Sequence, residues 1–139
     1  MTKLLRMLAM TATAGSLLCT NSSAAEGAAP AMKVANVQIT QGPELESAKD
    51  NWAIIRWRSN NPRGSDEHFG VVHYGTNPKD LSQTAKSHIR LNPNHSYTIF
   101  RVFVDGLKPQ TRYYYTVDSM QANGSSDGVK STVNHFTTH

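Results

Sequence analysis

The chain has 139 residues, with 14 Lys and Arg against 10 Asp and Glu, six His, a single Cys and a formal net charge of +4. That length suits one domain and a leader, and the positive balance is too mild to argue for a nucleic-acid partner. One cysteine excludes the disulfide framework on which small secreted modules rely.

Lys3 and Arg6 precede an apolar-leaning stretch over 7–18, and Ser22, Ser23, Ala24 and Ala25 follow it. A positive start, an apolar run too short to span and a small-residue cleavage site make the layout of a secretory signal peptide. Cleavage is expected just before Ala25, with Ser22 three positions ahead of it, so 1–24 form the leader. The product is expected to be secreted or periplasmic, with no membrane span after cleavage and a net charge of about +2. Leu17 and Leu18 stand where a lipoprotein site has small residues, so anchoring at Cys19 is not expected. Ala-rich 25–33, with Gly27 and Pro30, reads as a flexible lead-in to a domain over 34–139.

Seven short strands are expected at close spacing, which points to an all-β sandwich or barrel. They fall at 34–40, 52–59, 69–75, 81–86, 96–105, 112–120 and 128–138. Gly42-Pro43 breaks the chain after the first, a place where an edge strand bends or switches sheets. Asn60 to Gly64, Asn92-Pro93-Asn94 and Asn123 to Gly128 are turn signals between later strands. Alternation sorts the faces. Ala53, Ile55 and Trp57 point inward from the second strand, and Val72 and Tyr74 from the third. Phe100, Val102 and Val104, then Tyr113, Tyr115 and Val117, then Phe136 complete one core.

Leu107 to Val117 carries the strongest signature: Pro109 fixes a turn, Thr111 opens the next strand, and Tyr113 stands where a tyrosine corner ties its hydroxyl to the turn backbone. The chain resembles a seven-stranded fibronectin type III or immunoglobulin-like β-sandwich over about 34–138. Its flavour is that of the accessory domain that precedes the catalytic domain in purple acid phosphatases. The Gly42-Pro43 step with Trp57 in the next strand, the Tyr74-Gly75-Thr76-Asn77-Pro78 segment and the Leu107 to Val117 run carry the likeness. Those phosphatases hold two metal ions on a separate α/β domain, and this chain reaches His139 where that domain would begin. The resemblance therefore implies the fold and an accessory ancestry, and no catalytic residue is carried over.

The residues themselves offer no chemistry of their own. His68, His73, His88, His95, His135 and His139 show no metal-ligand spacing. His73 and His135 are expected to face outward with one strand between them, about 10 Å apart. No Ser lies in a nucleophile elbow, and Asp105, Asp118 and Asp127 are expected at strand ends or turns. Gly75 to Asp80 lacks the ending of a phosphate loop, and Arg63-Gly64-Ser65-Asp66 reads as a plain loop. Asn94-His95-Ser96 and Asn123-Gly124-Ser125 fit glycosylation sequons near turns. Catalytic, cofactor-binding and metal-ligating residues are therefore all expected to be absent.

One feature stands above this background. If the second and fifth strands bury the residues named above, they expose Trp52, Ile54, Arg56 and Arg58, and Tyr97, Ile99, Arg101 and Phe103. These strands are antiparallel neighbours in the fibronectin arrangement, so their outer faces merge into one stripe of rings, isoleucines and arginines. Such a stripe marks an interaction face for a protein partner or a second copy. Its alternative uses are a glycan surface, with Trp52, Tyr97 and Phe103 stacking on sugar rings, and a plain solvated sheet whose Arg stems cover the rings. A third possibility is a remnant phosphatase without its metal domain.

Overall fold

The computed structural model describes residues 33–34 and 37–139. The expected leader, Cys19 and the lead-in through residue 32 lie outside the described residues. Among the described residues there are nine strands, β1 (Lys33–Val34), β2 (Ile39–Ala48), β3 (Trp52–Pro62), β4 (Glu67–Gly75), β5 (Gln83–Arg90), β6 (Tyr97–Asp105), β7 (Arg112–Gln121), β8 (Ser126–Lys130) and β9 (Asn134–Thr137). One sheet is built on β3, which pairs antiparallel with β2 on one side and β6 on the other and takes β1 in parallel at its end. The other runs β5, β4, β7, and β7 pairs with both β8 and β9.

Nine strands replace the seven expected, because the first and last are each divided. At the start, β2 runs through Gly42-Pro43 instead of stopping before it. As an edge strand it needs no N–H from Pro43 on its outer side. Register shifts on both sides of Gly42-Pro43 absorb the irregularity. Gly42 itself has φ +81, and a Cβ there would meet the Arg56 carbonyl oxygen at 3.1 Å. At the end, β8 and β9 pair with opposite halves of β7. Between them Ser131 takes the place of a ladder rung: the Val117 N–H donates to its Oγ at 2.9 Å, and its own N–H donates to the Val117 carbonyl at 3.0 Å. The fourth strand is longer than its composition suggests, since β5 follows β4 from Glu67 opposite Arg90 to Tyr74 opposite Gln83.

The core sits where the inward rows meet. Ala53, Ile55, Trp57, Phe100, Val102 and Val104 from the first sheet face Val72, Tyr74, Tyr113, Tyr115, Val117 and Phe136 from the second, and all are buried. Trp57 stacks on Phe100 with centroids 5.0 Å apart and planes 7° from parallel. Gly70 makes room for that pair, because a Cβ there would lie 2.8 Å from Val102 Cγ2 and 3.1 Å from both the Trp57 and the Phe100 rings. The tyrosine corner is formed: the Lys108 N–H donates to the Tyr113 hydroxyl at 2.9 Å. Edge strands of the two sheets meet where the Phe103 N–H donates to Ser87 Oγ at 3.2 Å.

At one end, Lys33 ties β1 to the β3–β4 loop. Its Nζ donates to the Gly64 carbonyl at 2.7 Å and to Asp66 Oδ1 at 2.5 Å. The ammonium beside Asp66 holds that carboxyl below its ordinary value of 3.8. A lowered folded-state value adds stability above the unfolded value and loses it as pH falls through the folded one. Lys33→Met should therefore weaken the fold at neutral pH and flatten the decline in urea midpoint on the acid side of 3.8. Gly70→Ala should cost about 1–3 kcal/mol by overpacking the Trp57–Phe100 pair, read as a lower urea midpoint at unchanged slope.

Candidate interaction face

β3 lies between two partners in its sheet, so its outward side chains line the middle of a broad face. Trp52, Ile54, Arg56 and Arg58 point outward from it, and Tyr97, Ile99, Arg101 and Phe103 from β6. The register sets Ile54 opposite Phe103, Arg56 opposite Arg101 and Arg58 opposite Ile99. All eight residues share this face. Phe103 is 50% exposed and Ile99 40%, the largest values on it among apolar residues.

They do not form an unbroken stripe. β2, extended through Gly42-Pro43, lays two carboxylates beside the arginines. Arg56 Nη1 donates to Glu44 Oε1 at 2.9 Å. Arg101 makes a two-pronged pair with Glu46, Nε to Oε2 at 2.8 Å and Nη2 to Oε1 at 2.7 Å. At such exposure each pair adds little stability, about 0.5 kcal/mol. Its effect is to neutralise the middle of the face and divide the apolar surface in two. At one end Trp52 and Phe103 pack with centroids 5.6 Å apart and planes inclined by 37°, beside Ile54. At the other, the Arg58 guanidinium carbon lies 3.7 Å above the centre of the Tyr97 ring, beside Ile99.

The expected histidines are dispersed. His73 faces outward from β4, and burial, with Lys130 adding to it, holds its imidazole below the usual value. His88 pairs with Glu67, His95 lies by Tyr97, and His135 on β9 lies 6.1 Å from Tyr114 on β7. His73 is opposite Thr116 and His135 opposite Tyr114, so β7 separates them. Among the described residues no three of His, Cys, Asp and Glu converge.

Two of the three aspartates expected at strand ends or turns lie within strands. Asp118 is inside β7, where burial raises its carboxyl and the Ser126 hydroxyl donates to both its oxygens at 2.9 and 3.1 Å. Asp127 belongs to β8, because the hairpin turn closes earlier, with the Gln121 N–H donating to the Ser125 carbonyl at 2.8 Å. Its carboxylate enters the sandwich, accepts the Ser119 hydroxyl at 2.6 Å and lies 3.4 Å from His68 Nε2. The His68 and Asp127 side chains are 0% and 2% exposed, so no substrate reaches them. Ser119 donates to the carboxylate and not to the imidazole, which is not the order of a nucleophilic triad. A signal for this cluster was present: His68 falls two residues before Gly70 and four before Val72, on the inward alternation of β4.

Comparison with known proteins bears on the domain as a whole. The family model for the purple acid phosphatase N-terminal domain matches residues 40–138. No curated protein matches the chain significantly. Among solved structures it is similar to the sensor domain of the anti-sigma factor RsgI4 of Pseudobacteroides cellulosolvens. The short form of that domain is 18% identical at TM-score 0.51, covering 76% of this chain and 97% of that one. The long form is 17% identical at TM-score 0.50, covering 73% and 88%. The FN5 domain of Drosophila Lar is 17% identical at TM-score 0.42, covering 70% and 91%.

The Asp127 cluster makes a stability prediction separate from the face. Asp127→Ala leaves the Ser119 hydroxyl and the His68 imidazole buried beside a cavity, and should cost about 3 kcal/mol in urea unfolding. The solution mass of the folded variant should match that of the parent.

Proposed function

We propose that this chain, which belongs to the family of purple acid phosphatase N-terminal domains, is an exported accessory module that works through protein contact at its β2–β3–β6 face. The family is that of an accessory domain and not of the metal-bearing catalytic one, which favours a non-enzymatic role. The signal-peptide layout of 1–24 supports export to the periplasm or the exterior.

The observation that carries the reading is the Trp52–Ile54–Phe103 end of the face. A Trp and a Phe packed 5.6 Å apart, with Phe103 half exposed, form an apolar patch rimmed by charge. Patches of that composition are favoured at interfaces. The same geometry disfavours the glycan reading. Trp52 and Phe103 are inclined by 37°, and Tyr97 carries a guanidinium on one face, so the three rings offer no level platform for sugars. Neither retention on polysaccharides nor phosphatase turnover with added iron, zinc or manganese is expected.

Light scattering across a concentration series tests the contact. The mass is expected to climb with concentration, and to return to monomer in a folded Trp52→Ala/Phe103→Ala variant. If the parent stays monomeric, the same pair of proteins is used as bait in a pull-down from the exported fraction. Association equal in parent and variant, in both formats, overturns the reading.

A further inference from the structure

Two of the three arginines on the outer face hold a carboxylate from β2, and the third does not. Arg58 lies opposite Gln41 on β2 and Ile99 on β6, and among the described residues it has no acidic partner. Its guanidinium is fixed against Tyr97 at 3.7 Å, and its Nε–H is buried with no acceptor. The His95 ring lies 5.7 Å from Tyr97 on the neighbouring turn. Tyr97 and His95 also line two open clefts, of about 260 and 300 Å³, whose walls include Arg90, Asn92 and Asn94 but no acidic residue.

We propose that Arg58 is a carboxylate-binding subsite that takes an Asp or Glu side chain of a protein partner. The proposal deepens the reading of this face as a protein-contact surface and rests on it. Arg56 and Arg101 each hold a glutamate, so among the described residues the arginine of the face without an acidic partner is Arg58. Stacking on Tyr97 fixes the planar fork in advance, so binding a carboxylate through two N–H groups immobilises little that is free. Exposed Ile99 beside it offers apolar contact for the stem of the incoming residue. An acidic peptide fits better than an acidic sugar, because the ring face a sugar would stack on is taken by the guanidinium.

The test uses the full chain, with hexaglutamate as probe and hexagalacturonate as the alternative source of carboxylate. The readouts are the NMR signal of the Arg58 Nε–H in the parent, which its burial protects from exchange with water, and, for every variant, the hexaglutamate affinity by titration calorimetry. Hexaglutamate is expected to shift that signal. Arg58→Gln should weaken binding about tenfold, and Arg56→Gln less than about twofold. Arg58→Lys, which keeps the charge but not the fork, should fall between, and it covers the case in which the Gln variant does not fold.

Equal weakening in Arg58→Gln and Arg56→Gln would assign binding to diffuse charge and overturn the subsite. So would an unmoved Nε–H signal, or a shift with hexagalacturonate and none with hexaglutamate. Failure of the subsite leaves any association dependent on Trp52 and Phe103 intact. Failure of that association leaves the Arg58 shift to be read separately.

Discussion

Trp57 lies flat on Phe100 at 5.0 Å, over Gly70 of β4, where the backbone carries no side chain. That contact joins β3 and β6 of one sheet to β4 of the other. A stacked aromatic pair is worth about 0.5–1.5 kcal/mol beyond its buried area, and its larger effect is on register. Strand side chains alternate with period two, so pinning Trp57 inward commits Ala53 and Ile55 to the core and Trp52, Ile54, Arg56 and Arg58 to the outside. A slip of one residue would set a tryptophan and two arginines in the core, and β6 is held to the same choice through nine register pairs with β3.

The composition of the outer face is thus a by-product of core packing, and its chemistry is then edited by β2. The glutamates at 44 and 46 are spaced to reach the arginines of β3 and β6, but only because the edge strand tolerates a proline and bends around it. The middle of the face is neutralised and its two ends are left distinct. One end is apolar, with Trp52, Ile54 and Phe103. The other holds an arginine stacked on a tyrosine with no acid in reach among the described residues. A partner would meet an apolar anchor and a charge separated by a band of satisfied ion pairs.

A second polar organisation lies inside the sandwich. Asn61 is fully buried, donates to the Asn92 carbonyl at 2.9 Å and also bonds Thr98 and the His95 carbonyl, so the β5–β6 turn is held to the end of β3. The Ser119–Asp127 hydrogen bond joins β7 to β8, and His68 of β4 lies 3.4 Å from that carboxylate. Both clusters set polar side chains inside the sandwich, and the bonds of Asn61 and of Ser119 with Asp127 are costly to leave unmade. They pin the turns that flank Tyr97 and the β7–β8 hairpin in place.

How much of this was legible in the sequence depends on the range of each interaction. The alternation of Ala53, Ile55 and Trp57, and of Phe100, Val102 and Val104, is local to a strand. Together with the resemblance to fibronectin type III domains, it sufficed to name the sandwich, its core and the eight residues of the outer face. The tyrosine corner was legible too, because Lys108 and Tyr113 are five residues apart. What could not be read was anything that depends on a neighbour distant in sequence. Glu46 lies 55 residues from Arg101, and Lys33 is 33 from Asp66. No local pattern marks Glu44 and Glu46 as ion-pair partners, because Gly42-Pro43 reads as the end of the strand that carries them. Asp127 is eight residues from Ser119, within one hairpin, yet its position inside or outside turns on where the hairpin closes. The sequence by itself determined which side chains alternate and hence the fold. The tertiary structure alone decided which charges on the face are paired among the described residues, since that follows from strands meeting across the sheet.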